Sequence, residues 1–134
     1  MPYEPTSPNQ KTIAALFQRL KMDEWHPNPD DWAPYVVDGV SYVTSSGALS
    51  KADRVAHLAD MQKTGAAAVP GDPVVTMHIS DFGDAALMIT THAPYRGGKP
   101  YYSVRVWTYK DKRWQLANSQ QTTIDAAAAV SAQK

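Results

Sequence analysis

Cysteine is missing from all 134 residues, which excludes a disulfide frame and any thiolate chemistry. No charge of one sign prevails either: 13 basic side chains face 13 acidic ones, and the formal net charge is zero. Nucleic-acid binders usually carry a basic surplus, so no nucleic-acid partner is expected. No apolar run approaches the length of a membrane-spanning helix, so no membrane partner is expected. The opening MPYEPTSPNQ has neither a basic n-region nor an apolar h-region. The expected location is cytoplasmic, although a signal peptide already removed would leave no trace. Internal repeats and linkers are also lacking. The length fits one domain over 1–134, large enough to bury most of its apolar surface. The last ten residues, DAAAAVSAQK (125–134), read as a frayed tail.

What is present begins with helix signals. Ser7-Pro8-x-Gln10 supplies an N-cap, a proline at the first helical position and a capping-box glutamine. Ile13, Leu16, Phe17 and Leu20 follow at the spacing of one buried stripe, and His26-Pro27-x-Pro29 stops it. Asp30-Asp31-Trp32 opens a short helix expected to end near Asp38-Gly39. Val40–Thr44 then forms a brief strand turning at Ser46-Gly47. Ser50-x-x-Asp53 caps another helix, with Ala52, Val55, Leu58 and Ala59 expected inward and Gly65 near its end.

From Pro73 onward the chain reads as strand. Val75, Met77 and Ile79 alternate with Thr76 and His78; Asp81-Phe82-Gly83-Asp84 turns, and Ala85–Ala93 runs back. Pro94–Pro100 leads to a hairpin whose turn is Asp111-Lys112. That hairpin is two-toned. With this turn, Tyr109 faces Trp114, Trp107 faces Leu116 and Arg105 faces Asn118, so one face is greasy at its tip and carries Ser103, Arg105, Asn118 and Gln120 beyond. Helices ahead of an antiparallel meander give an α+β domain, with helices on one face of a curved sheet.

These residues carry a resemblance. The segment DWAPYVVDGVSYVTSSGALSK and the close FGDAALMITTHAPYRGGKPYYSVRVWTYKDKRWQLANSQ resemble the SnoaL-like group of the nuclear-transport-factor-2-like superfamily, a cystatin-like α+β architecture. The likeness covers roughly residues 8–124. Its most specific element is Arg105-x-Trp107, a turn, then Arg113-Trp114-x-Leu116. It implies a cone: a strongly curved, mostly antiparallel sheet wrapped around the N-terminal helix, with two further helices and a pocket at the open end. Members of that superfamily include isomerases, dehydratases, epoxide hydrolases, cyclases, ligand binders and oligomerisation modules, so the fold leaves function open.

If the two-toned face is concave, its tip packs on the first helix and its remainder lines a ligand cavity. Arg105 then offers a fixed fork to a carboxylate or enolate oxygen, with Asn118, Gln120, Trp107, Tyr42, Met88 and His92 as further ligand-binding candidates. The other reading leaves that face solvated or against a second subunit. His92, on a strand face with Met88 and Thr90, is the one weak candidate for acid–base work; ordinary strand placement is its alternative. Trp25, Trp32 and Tyr42 form either an aromatic wall or plain core. His57 and His78 read as surface and His26 as part of a turn. No histidine pair at i, i+2 or i, i+4 accompanies a carboxylate, so no metal is expected. Arg96-Gly97-Gly98-Lys99 lacks the GxxxxGK[ST] spacing of a phosphate loop and reads as a connection; no cofactor is expected.

The steroid isomerases of the superfamily hold their base, an aspartate, on the first strand; that enzyme is a standard case of pKa tuning. Here the matching stretch is Thr44-Ser45-Ser46-Gly47, and the first helix offers Phe17 where those enzymes use a tyrosine. The isomerase reading fails on these residues. No clear counterpart exists for the epoxide-hydrolase arginine between two aspartates, since the Arg105 strand has no carboxylate. Three functions stay open: binding of a small, partly apolar, anionic molecule; a lyase, isomerase or cyclase using His92 and Arg105; and a dimerisation or accessory module with a filled cone. A homodimer is expected through the outer sheet face, where Tyr102, Val104, Val106, Thr108, Ala117 and Ser119 fall.

Overall fold

Ser7 starts the first helix in the way its sequence requires. In the computed structural model, which describes residues 4–44, 47–65, 74–93 and 100–123, α1 spans Pro8–Trp25. The Ser7 hydroxyl oxygen accepts from Gln10 N, and the Gln10 side chain accepts in return from Ser7 N. The same residues tie α1 to a distant turn: Ser7 Oγ donates to Asp81 Oδ2 at 2.8 Å and Gln10 Nε2 donates to the Ile79 carbonyl at 3.1 Å. The Gly83 N–H, then Ser7 and Asn9, hold the Asp81 carboxyl below its ordinary range. Ser7→Ala loses both a cap and a long-range tether. We expect it to cost about 1–2 kcal/mol in chemical denaturation; unfolding coincident with wild type would show the tether carries nothing.

The remaining elements are α2 Pro29–Trp32 with a 3-10 turn Ala33–Tyr35, β1 Val36–Thr44, β2 Gly47–Leu49, α3 Lys51–Thr64, β3 Val74–Asp81, β4 Ala85–His92, β5 Tyr101–Lys110 and β6 Arg113–Thr123. They form one open six-stranded sheet, ordered β2-β1-β6-β5-β4-β3. Among the described residues only β1 and β6 run parallel; the other pairs are antiparallel. Ile13, Leu16, Phe17 and Leu20 of α1 are all buried, and they meet Ile79, Met88, Trp107, Trp114 and Leu116 from the sheet. The expected α+β cone around the first helix is therefore the observed one. Residues 125–134 and the Arg96–Lys99 connection lie outside the described residues, as do Ser45 and Ser46.

Several local expectations change, each for a physical reason. The short helix does not reach Asp38-Gly39: β1 begins at Val36, and Asp38-Gly39 sit in an irregularity of the β1–β6 pairing between Val36 and Ser41. Val36 and Val40 are buried on either side of it, so β-branched core residues outweigh the turn signal. On α3 only Leu58 is buried and Val55 half-buried, whereas Ala52 and Ala59 are exposed. This helix touches β1 and α2 along a narrow stripe, because methyl groups alone give little reason for closer approach. A bulge between Val74 and Thr76 turns Val75 outward, to 64 % exposure, and directs Val74 to the core instead.

The β6 register departs furthest from the expected one. Tyr109 pairs with Trp114 and Trp107 with Leu116, as expected, but a bulge at Ala117 follows. Val106 then faces Asn118, and Arg105 faces Ser119 rather than Asn118. One extra residue inverts the alternation for the rest of the strand. Asn118 and Gln120 therefore lie on the convex face, opposite Val106 and Val104, and Ser119 moves from the outer set into the concave one, where it is buried.

Candidate functional site

The two-toned hairpin face becomes the concave wall of the cone. Trp107, Trp114 and Leu116 fill the core, whereas Tyr109 overhangs the tip with 43 % exposure. Beyond Trp107 the wall turns polar. Met88, Thr90 and His92 of β4 lie opposite Arg105, Ser103 and Tyr101 of β5, in pairs along the ladder. Met88 is wholly buried in the core cluster, while Thr90, His92, Ser103 and Ser119 are buried polar groups.

Arg105 is the centre of this region. Its guanidinium carbon lies 4.6 Å from the centroid of the Phe17 ring, and Nη1 donates to Thr90 Oγ1 at 3.1 Å. Thr90 Oγ1 is also 2.7 Å from His92 Nε2. An arginine N–H can only donate, so the threonine oxygen accepts there and its single hydrogen is free to donate to the imidazole. The His92 ring in turn stacks on Tyr101, with centroids 4.5 Å apart and planes 6° from parallel. Among the described residues no carboxylate pairs with Arg105. Burial lowers its pKa from the ordinary arginine value, against the pull of Tyr42 and Glu24.

The nearby carboxylate is already engaged. Glu24 Oε1, near the end of α1, accepts from Arg54 Nη2 of α3 at 2.8 Å and from Tyr42 Oη of β1 at 3.3 Å. Burial works against the Arg54 charge, and Glu24 and Tyr42 together more than offset it, leaving its pKa raised. Burial first, and Glu24 next, push the Tyr42 phenol up to about 12, so it stays a neutral donor at physiological pH. The Arg54 guanidinium also lies over the Tyr42 ring at 5.0 Å.

Between α1 and the sheet lies a cavity of about 30 Å³, lined among others by Phe17, Lys21, Glu24, Tyr42, Arg105 and Trp107. That volume holds an ordered water or two. Trp107 carries a buried Nε1–H without a partner, and Arg54 a buried Nε–H without one, among the described residues. Here the donors outnumber the acceptors.

Solved structures fold alike. A protein from Cytophaga hutchinsonii described as NTF2-like superposes with a TM-score of 0.72 at 14 % identity, covering 88 % of this chain and all of that one. A Caulobacter vibrioides protein with a cystatin-like fold gives 0.69 at 15 % identity, covering 93 % and 96 %. An NTF2-like protein of Streptomyces avermitilis, provisionally a dehydratase, gives 0.70 at 14 % identity, covering 90 % and 100 %. The fold is the NTF2-like, cystatin-like cone. No protein-family model and no curated protein matches the sequence.

Within this NTF2-like cone, Arg105, Tyr42 and Trp107 line one cavity, and His92 and Met88 lie on the same concave wall. Asn118 and Gln120 do not join them. Sequence reasoning missed Glu24, Lys21, Thr90 and Arg54. Lys21 and Glu24 continue the α1 stripe from Phe17 at i+4 and i+7, so the helix turns polar where the hairpin face does. That signal was readable; the approach of Arg54 from α3 was not. Among the described residues no group of three potential ligands could hold a metal, and no helix is long and apolar enough to cross a membrane.

Thr44, which the resemblance sets where the steroid isomerases hold their base, donates its hydroxyl to the Gly47 carbonyl at 3.3 Å. A threonine hydroxyl so placed cannot remove a carbon-bound proton near neutrality. We expect no steroid isomerisation; turnover that disappears in Thr44→Ala would prove the opposite.

Proposed function

We propose that the protein binds a small, partly apolar molecule through its carboxylate, at the polar side of the cone beside Arg105. The observation that carries this reading is the imbalance around the cavity. Among the described residues that line it, Glu24 is the one carboxylate, and it is committed to Arg54 from outside the wall, which leaves the Arg105 guanidinium without a carboxylate partner. Buried donors on Trp107 and Arg54 lack acceptors among the described residues. An unpaired buried donor costs about 1–3 kcal/mol, so an anionic oxygen or a water among them is favoured. The 30 Å³ cavity takes a carboxylate group and no more; the rest of the ligand lies towards the half-buried Lys21 and Glu24. A melting-temperature screen against small aliphatic and aromatic carboxylates tests the reading, since a ligand bound only by the folded state raises the midpoint. A screen in which no acid raises the melting temperature would leave the filled, accessory cone as the better account.

A second reading rests on the Arg105–Thr90–His92 chain of hydrogen bonds. It brings the acid–base and electrophile candidates of a lyase, isomerase or cyclase within one hydroxyl of each other. A pH–rate profile controlled by a histidine-like group, and lost in His92→Gln, would favour this reading over simple binding.

We further propose a homodimer through the convex face. The helical core packs on the concave side, whereas Leu87, Ile89, Tyr102, Val104 and Val106 lie on the other face, with Ile89 40 % exposed. Light scattering at micromolar concentration is expected to give a dimer and Val106→Lys a monomer. A monomeric wild type sinks the proposal.

A further inference from the structure

We infer that the chain has a second small-molecule site, outside the cone, which takes a planar aromatic anion. A cleft of about 540 Å³ opens between α1 and the tip of the β5–β6 hairpin. That volume is within the range of small-molecule sites, roughly 300–1,000 Å³. Its lining shares no residue with the Arg105 cavity, so the two sites stand or fall separately.

The chemistry of the walls selects the ligand. Among the described residues Arg19, Lys112 and Arg113 line the cleft, and no carboxylate does. Arg19 is neutralised by Asp31, to which its Nε donates at 2.9 Å, and its guanidinium lies 4.7 Å from the Tyr35 ring centroid. Arg113 donates to the Pro34 carbonyl at 3.3 Å, a neutral acceptor. Among the described residues neither Lys112 nor Arg113 has a carboxylate partner. Trp114, almost fully buried, supplies an aromatic floor, with the exposed Tyr109 ring 5.5 Å away and tilted by 55°. Flat apolar surface beside two uncompensated cations suits a ring that bears a carboxylate.

The turn itself adds an independent observation. Asp111 and Lys112 both adopt positive φ, 53° and 65°, in the two central positions of the hairpin. This turn type favours glycine second, because a side chain there is strained. The chain instead keeps a lysine at that position, and the lysine lines the cleft. Strained residues of this kind gather at ligand sites.

Heteronuclear NMR titration with 1-naphthoate provides the test, with uncharged 1-naphthamide as the control. We expect saturable shifts at Tyr35, Lys112 and Trp114, and the amide should bind about tenfold more weakly or worse, the loss of one charge-assisted contact. The double variant Lys112→Gly, Arg113→Gln should melt at or above wild type, since glycine suits φ 65°, yet lose about tenfold or more in naphthoate affinity. No saturable binding, equal affinity for the amide, unchanged affinity in the variant, or shifts confined to Phe17 and Tyr42 would each overturn the inference.

Discussion

Arg105→Leu is expected to unfold within about 1 kcal/mol of wild type in the absence of ligand, and to lose about tenfold to a hundredfold in affinity for any carboxylate that stabilises the protein. Removing one member of a buried ion pair costs about 3–5 kcal/mol, because a charge is stranded. Arg105 strands nothing: among the described residues its partners are the Thr90 hydroxyl and the Phe17 ring, and Thr90 keeps His92. Burial already disfavours its charge, so leucine relieves a desolvation cost while filling part of the volume. A ligand carboxylate, by contrast, would lose its main cation. Denaturation midpoints with and without the acids found by screening decide the matter. A loss of several kcal/mol in the empty protein makes the arginine structural and removes the binding proposal.

Asp23→Asn should stabilise the protein above neutral pH, by up to about 4 kcal/mol, and flatten its pH dependence. Asp23 is buried at 8 % exposure on α1, three residues after Leu20, and its Oδ2 has no partner among the described residues. Burial, then the neighbouring Asp31, push its carboxyl up to about 7 from an ordinary 3.8. Arg19, in contact with Asp31, holds the Asp31 carboxyl well below its usual range. Between about pH 4 and 7 the folded chain keeps the Asp23 proton and the unfolded chain does not, so stability is full below the unfolded value and falls as pH rises through 7. Below pH 4 the depressed Asp31 acts oppositely, and this pair alone places a maximum near pH 4. Asparagine retains a donor without a charge to bury. Urea denaturation from pH 4 to 8 should slope downward for wild type and stay flat for the variant; equal slopes would show that Asp23 ionises freely.

Elements with strong local grammar were legible in advance. Ser7 and Ser50 cap the helices they were expected to cap, and Gly65 ends α3 in the left-handed conformation. The Asp111-Lys112 turn and the pairing of Tyr109 with Trp114 follow from alternation alone. Alternation failed wherever one residue was inserted. The bulges at Ala117 and beside Val75 have no residue-type signature, because they are set by how a curved sheet must meet α1. Each inverts a face, which is why Asn118 and Gln120 left the site and Ser119 entered it.

The sequence by itself determined an α+β chain without thiols, without net charge and with an apolar helix stripe matched to an apolar hairpin tip. These properties depend on residue type and short-range spacing, and survive any detail of packing. It also singled out Arg105, because a cation centred in a strand face demands an explanation. Only the tertiary structure decided which groups answer it. Glu24 and Arg54 are separated by 30 residues, and Thr90 lies 15 before Arg105. Their meeting depends on α3 crossing to β1 and on the β4–β5 register, long-range geometry that no local pattern encodes.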